Sequence, residues 1–241
     1  MSYSLSCHLF FLFPPSLFLL PSPLFSSVGN GKLTVDTNLL FSGILGYGAI
    51  GREVARVAKA FNMEIYAYTH SVRPTPESRR DDSFCVPGTG DPEGLLPSRW
   101  FHGGRDAVDD FLGQDLDLLV VATPLTEFTS NLISHKQFDI LSKKKTFLSN
   151  IGRGKIVNTE ALAEALHAGK IRGAAVDVTD PEPLPKDHSL WNAPNLLVTP
   201  HVAWQTTNFL DRNLQLMEAN LENLAQGKPL LNEVKRTASA N

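Results

Sequence analysis

Gly46, Gly48 and Gly51 stand as G-x-G-x-x-G inside residues 44–59, which read ILGYGAIGREVARVAK. The chemistry that this spacing serves is the holding of a pyrophosphate. One glycine supplies backbone angles for a tight turn, a second lets phosphates approach the main chain, and a third lets the following helix pack closely on the strand. The N–H groups of the helix start, near Ala49 and Ile50, then face the phosphates. An apolar run (Leu39, Leu40, Phe41, Ile44, Leu45) precedes the turn, and Val54, Val57, Ala58 and Phe61 follow at helical spacing. Strand, turn and helix are therefore predicted in that order. A glycine turn of purely structural purpose is the alternative, because so short a motif also arises by chance.

A second group bears on which dinucleotide would fit. Residues 64–68 (EIYAY) alternate and predict the next strand. At its end, where an NAD site usually carries an acid for the ribose 2′-hydroxyl, stand Thr69, His70, Ser71 and Arg73. A hydroxyl with cations nearby would accept a 2′-phosphate that an acid would repel, so the sequence favours NADP over NAD. Arg73 as a solvated loop residue is the competing reading.

The elements that must position these groups alternate along the chain. Residues 72–104, rich in Pro, Gly, Asp and Arg, show no sustained period and predict a long insertion, with residues 78–82 a solvated charged turn from which Arg79 or Arg80 could fold back to a phosphate. Residues 106–112 predict a short helix, and 116–122 a buried strand ending at Thr123 and Pro124. Residues 146–149 predict a third strand, and Asn158 caps a helix that carries Glu160 in its first turn, Ala161, Leu162, Ala165 and Leu166 on its apolar face, and Gly169 at its end. Residues 174–178 and 195–199 predict two more strands, and Leu210, Leu214, Met217, Leu221 and Leu224 mark a long helix from Asn208 to Gly227. The order argues an α/β fold with a doubly wound parallel sheet, whose ligands bind at the carboxyl ends of the strands.

Composition bounds the rest. The chain has 241 residues, 42% hydrophobic and 20% charged, with a formal charge of -3, and it lacks a basic tract, so no nucleic-acid partner is expected. Cys7 and Cys85 have no metal-ligand spacing, so neither a zinc site nor a disulfide framework is expected. Residues 1–31 carry no Lys, Arg, Asp or Glu, and Pro14, Pro15, Pro21 and Pro23 break their apolar run. That pattern suits neither a membrane span nor a secretory signal with a basic start. Residues 1–38 are expected to stand apart from the fold, with a targeting role as the minor alternative and a cytoplasmic default.

Three stretches follow predicted strands: NIGRGKIV (150–157), DVTDPEPLP (177–185) and TPHVA (199–203). With GYGAIG and with PLTEFTSNLI (124–133), they make the chain resemble the D-isomer-specific 2-hydroxyacid dehydrogenase family from about residue 44 to about residue 232. The resemblance implies a dinucleotide-binding domain over 39–205, with 206–241 a helix and tail belonging to a substrate domain. It implies that Arg153 grips the carboxylate and carbonyl oxygen of a small 2-oxo acid such as glyoxylate or hydroxypyruvate. By the same resemblance His201 is the general acid and base, and Glu182 orients its imidazole and favours the protonated form. Taken singly, Arg153 reads as a surface charge, Glu182 as a loop acid and His201 as a capping or core histidine. Together, within the motif set, they read as catalytic. Asp177 resembles the acceptor for the nicotinamide carboxamide; Thr123, Pro124, Thr129, Ile151 and Gly152 match positions lining the cofactor, and Ala203 lies at the nicotinamide end beside Val202 and Trp204. Asp187 and His188 are expected in a surface turn and cap.

The family also usually dimerises through this domain and carries a substrate domain ahead of the glycine turn. Here only residues 1–45 precede Gly46, so loops that choose the substrate are expected to be missing and turnover impaired. A catalytically silent dinucleotide-binding module is the rival expectation. A short-chain reductase is disfavoured because none of Tyr3, Tyr47, Tyr66 and Tyr68 has a lysine four residues later.

Overall fold

A computed structural model describes residues 40–233; the readings placed on residues 1–39 lie outside the described residues. Seven strands form one sheet: β1 (Phe41–Leu45), β2 (Glu64–Thr69), β3 (Pro97–His102), β4 (Leu118–Val121), β5 (Phe147–Asn150), β6 (Gly173–Val176) and β7 (Leu196–Val198). All pairings are parallel, in the order β3-β2-β1-β4-β5-β6-β7. From β1, inside the sheet, the chain winds outward to β3, then returns to lay β4 on the other side of β1. Ser42 pairs with Ile65 on one side and Leu118 on the other, which makes the carboxyl ends of β1 and β4 the topological switch point.

Helices cover both faces because adjacent strand residues point to opposite sides. Ile44, Ile65, Leu118, Phe147 and Ala175 pack with Val54, Ala55, Val57 and Ala58 of α1 (Ala49–Ala60). Their neighbours Leu45, Tyr66, Leu119, Leu148 and Ala174 pack on the other face with α3 (Arg105–Leu112), α4 (His135–Leu141) and α5 (Thr159–His167). A four-residue helix, α2 (Pro76–Arg79), opens the insertion after β2, and α6 (Phe209–Ala225) closes the described chain. The Asn158 side chain accepts from the Ala161 N–H, as its capping position predicts, and Gly169 leaves α5 with φ of 63°.

Three expectations need correction, and one helix was not anticipated. Phe61 is not on the buried face of α1: Asn62 at φ of 59° ends the helix, leaving Phe61 43% exposed. The stretch 72–104 is not wholly irregular, since it holds edge strand β3. Helix α4 was not anticipated: its start is marked by Ser134 and Gln137, whose Oε1 accepts from Ser134 N–H at 3.1 Å, but its seven residues bury only Phe138 and Leu141 and give no apolar period. Residues 78–82 are not simply a solvated turn. Asp81 reaches buried Arg52 at 3.3 Å, Arg79 lies over Trp100 at 5.5 Å, and Arg80 pairs with Glu93 at 3.1 Å.

Candidate active site at the carboxyl edge of the sheet

The glycine turn joins β1 to α1. Gly46 has φ of 105°, and a Cβ there would sit 2.6 Å from the Thr123 backbone nitrogen at the end of β4. A Cβ on Gly51 would run into the Gly46 carbonyl oxygen. Both glycines are thus required by the protein's own backbone. Gly48 is different: its φ of -89° is ordinary, and a Cβ there would meet nothing within 4 Å. The first intrahelical bond nearby runs from Arg52 N–H to Gly48 carbonyl at 2.9 Å, so the N–H groups of Ala49, Ile50 and Gly51 precede it. Gly48 makes no side-chain cap and the first turn carries no acid, which leaves the positive end of the helix dipole uncompensated. Ala49 and Ile50 are exposed.

At the end of β2, the Thr69 hydroxyl donates to the Ser71 carbonyl at 2.8 Å, and the His70 ring tilts against Phe128 at 5.3 Å. Arg73 is engaged, its Nη1 donating to the Ser78 carbonyl at 2.6 Å. Beyond β4, Thr123 and exposed Pro124 lead into a turn closed by Thr129, whose buried hydroxyl donates to the Pro124 carbonyl at 2.7 Å and accepts from Thr126 N–H at 2.7 Å. Buried Gly152 approaches the same place from β5, since its Cβ would lie 3.0 Å from the Thr123 carbonyl oxygen. Its neighbour Ile151 packs against the α1-side core.

The three ionisable candidates come from loops after β5, β6 and β7. Asn150, fully inside, accepts from Gly152 N–H at 3.1 Å and donates to the Arg153 carbonyl at 3.3 Å, which fixes the backbone of the Arg153 loop. The Arg153 side chain is exposed and its Nη1 donates to the Gly152 carbonyl at 2.7 Å. A Cβ on Gly154 would run into the Thr179 carbonyl, so the Arg153 loop and the loop leading to Glu182 pack main chain to main chain. Thr159 of α5 holds the second loop by donating to the Asp180 carbonyl at 2.8 Å and accepting from Asp180 N–H at 3.2 Å. Glu182 Oε1 lies 2.7 Å from Nδ1 of His201. A carboxylate can only accept, so Nδ1 carries the proton and Nε2 is the nitrogen left for chemistry. Both side chains are about two-fifths exposed, at 39% and 40%, and so open to a ligand.

His201 stands at φ of 55°, a conformation that costs a non-glycine residue about 1–3 kcal/mol. Buried Asp177 holds it there. Asp177 Oδ1 accepts from the Thr199 hydroxyl at 2.6 Å and Val202 N–H at 2.9 Å, Oδ2 accepts from Ala203 N–H at 2.9 Å, and its carbonyl accepts from His201 N–H at 2.9 Å. The supporting roles of Asn150, Thr159 and Thr199 carry no sequence signal, being polar residues at strand or helix ends like many others. Trp204 Nε1 donates to the His201 carbonyl at 2.9 Å and its ring meets Phe209 edge-on at 5.2 Å. His188 caps the short 3-10 turn Ser189–Asn192 by accepting from Leu190 N–H, the capping role expected of it.

Among the described residues, no helix is long and apolar enough to cross a membrane, and no group of three or more His, Cys, Asp or Glu could hold a metal ion.

Comparison with known proteins accords with this arrangement. The chain matches the family described as D-isomer specific 2-hydroxyacid dehydrogenase, NAD binding domain, over residues 33–86 and 102–203. Glyoxylate reductase of Aeropyrum pernix is 34% identical over 194 residues, covering 80% of this chain and 51% of that protein. The human glyoxylate reductase/hydroxypyruvate reductase is 33% identical over 193 residues, covering 80% and 52%. The chain thus spans about half the length of these curated relatives. Among solved structures, a D-isomer specific 2-hydroxyacid dehydrogenase from Xanthobacter autotrophicus Py2 in complex with NADPH and MES superposes with a TM-score of 0.63 at 27% identity, covering 81% of this chain and 71% of that one. Fold, motif order and sequence agree: the chain belongs to the D-isomer-specific 2-hydroxyacid dehydrogenase family, of which it carries the NAD-binding domain.

Proposed function

We propose that this protein reduces a small 2-oxo acid of the glyoxylate or hydroxypyruvate type with a nicotinamide dinucleotide, NADPH in preference to NADH. The observation that carries the reading is the 2.7 Å Glu182–His201 pair on a loop that Asp177 locks at the carboxyl edge of a dinucleotide-binding sheet. The glycine turn fits the cofactor: Gly48 leaves open space where a pyrophosphate would lie, over N–H groups that precede the first helical bond. Thr123, Pro124, Thr129, Ile151, Gly152 and Ala203 would border it; Asp177, for which the resemblance implies a carboxamide contact, is buried with both carboxylate oxygens engaged by the loop of His201 and would act on the cofactor through that loop. Thr69, His70 and Arg73 would receive the 2′-phosphate, with no acid in 69–73 to repel it.

The reduced nicotinamide of a dinucleotide held over the start of α1 would supply the hydride for the new C–H bond. Arg153, whose Nη1 would exchange the Gly152 carbonyl for the substrate, would clamp the substrate carboxylate and polarise the carbonyl oxygen. His201 Nε2 delivers the proton that forms the O–H bond, and Glu182 steadies the ring through Nδ1 as the charge on the imidazole changes. In the oxidation direction Nε2 takes the proton back.

The family resemblance further supports a homodimer through residues 39–205 and residues 206–241 as part of a substrate domain. A second reading, a catalytically silent dinucleotide-binding module, is favoured by the engagement of Arg153 Nη1 with the protein's own Gly152 carbonyl at 2.7 Å. Absorbance of the reduced-nicotinamide band separates them. The first reading predicts glyoxylate-dependent or hydroxypyruvate-dependent loss of the band, with His201→Ala slower by roughly 10²–10⁴-fold. Binding of NADPH with no loss of the band in the wild-type chain would leave the silent module.

A further inference from the structure

Where the insertion after β2 meets the glycine turn and the start of α1, three buried side chains far apart in sequence form one cluster. Arg52, on the first turn of α1, is 5% exposed; Asp91 is 6% exposed and Tyr47, inside the glycine turn, 4%. The Tyr47 hydroxyl donates to Asp91 Oδ2 at 2.7 Å, and that carboxylate also accepts from Leu95 and Leu96 N–H at 3.0 and 3.1 Å. Arg52 lies over the Tyr47 ring at 5.1 Å and donates through Nη1 to the Asp91 carbonyl and through Nη2 to the Arg79 carbonyl at 2.7 Å. Burial, and next the Asp91 carboxylate, hold the Tyr47 hydroxyl far above the usual phenol range. The cluster extends to Arg73. Arg79 Nε donates to the Arg73 carbonyl at 3.0 Å, while Arg73 Nη1 donates to the Ser78 carbonyl at 2.6 Å. Gly94, at φ of 67°, packs on the Arg79 backbone from the far side, where a Cβ would lie 2.5 Å from the Arg79 carbonyl oxygen.

We propose that Arg52, Asp91 and Tyr47 form a latch that docks the insertion on the glycine turn and, through Arg79, positions Arg73 for a ribose 2′-phosphate. The insertion is then part of cofactor discrimination, and Arg52, Asp91 and Arg79 are positioning residues. Burying a guanidinium and a carboxylate is costly unless partners are supplied; here main-chain carbonyls of the insertion take Nη1 and Nη2 of Arg52, the Asp81 carboxylate lies 3.3 Å from its Nε, and main-chain N–H groups with the Tyr47 hydroxyl serve Asp91. The insertion cannot move without stranding those charges. Arg73 is consequently held rather than left on a free loop, and a fixed guanidinium binds a phosphate with less ordering cost. The inference rests on the reading of Arg73 as the 2′-phosphate ligand.

Fluorescence titration of the full chain with NADPH and with NADH tests it through the ratio of the two dissociation constants. Wild type is expected to favour NADPH, and Arg73→Ala to abolish the preference, a change of roughly tenfold or more. Asp91→Ala is expected to shift the ratio in the same direction by weakening NADPH while NADH changes by less than about twofold. Arg79→Ala, on the surface side of the latch, gives the same outcome should Asp91→Ala not fold, and adding it to Arg73→Ala should produce no further shift. Equal loss of both nucleotides in the latch variants, or an undiminished preference in them, would overturn the latch while leaving the Arg73 reading intact. A wild-type ratio near one that Arg73→Ala does not change would overturn the Arg73 reading and the latch with it.

Discussion

Helices α1 and α6 read alike in sequence, each with apolar residues returning at helical spacing, yet they end in opposite environments. The 12-residue α1 buries Gly51, Arg52, Val54, Ala55, Val57 and Ala58, whereas the 17-residue α6 buries nothing among the described residues. Phe209, Leu210, Leu214, Met217, Leu221 and Leu224 are all exposed along α6. Periodicity specifies a helix with an apolar side; it does not specify what covers that side. For α1 the cover is local, because β1 and β2 flank it in sequence and their alternate residues point at it. Along α6 the apolar stripe stays open among the described residues.

The sharpest way to break that contrast is to place the same charge in both helices. Val54→Asp, 3% exposed in wild type, would bury an unpaired carboxylate against Ile44 and Ile65 and is expected to cost about 4 kcal/mol or more, enough to unfold the domain. Leu214→Asp, at a position 47% exposed, is expected to change stability by less than about 0.5 kcal/mol. Urea denaturation of both variants checks the pair; a comparable loss in Leu214→Asp would show that the α6 stripe is covered in solution.

A smaller effect sharpens the same comparison at the far end of α1. Lys59, in its last turn, donates to Glu64 Oε2 at 2.9 Å, while α6 has no basic residue in its last turn. The Ser98 hydrogen bond, and next that of Lys59, hold Glu64 below its ordinary value of 4.5. With the folded value lowered, the unfolded chain binds more protons in the interval between the two values. The stabilisation is therefore complete above 4.5 and lost as pH falls through the folded value. Glu64→Gln should cost about 0.5 kcal/mol at neutral pH, the partly exposed pair being screened by solvent, and the deficit should vanish on acidification. A deficit independent of pH would assign the loss to packing.

Much of the sheet was legible because its signals are local. The glycine turn, the alternation of EIYAY, and Asn158 and Gly169 at the two ends of α5 each act within a few residues. Edge strand β3 was not legible, since PSRWFH carries Ser98 and Arg99 among its apolar residues as an edge strand facing water can. Phe61 continued the helical spacing past the point where Asn62 turns the chain. In the site, Arg153, Glu182 and His201 were found through ordered motifs, but how they are held was not. Asp177 is occupied by Thr199, Val202 and Ala203 across more than twenty residues of sequence, and Arg52 meets Asp91 across 39. Nothing in a linear pattern signals such contacts.

The glycine turn allows the most direct test of the central claim, that a dinucleotide lies over the start of α1. Gly46 and Gly51 are required by the fold itself, but Gly48 has ordinary backbone angles and no protein atom within 4 Å of a Cβ. Calorimetric titration of NADPH into wild type and Gly48→Val, with melting curves recorded alongside, isolates the ligand's demand from the protein's. The account predicts unchanged melting and a loss of affinity of roughly tenfold or more in the variant. Unchanged melting with undiminished NADPH affinity would contradict it and leave the glycines a purely structural turn.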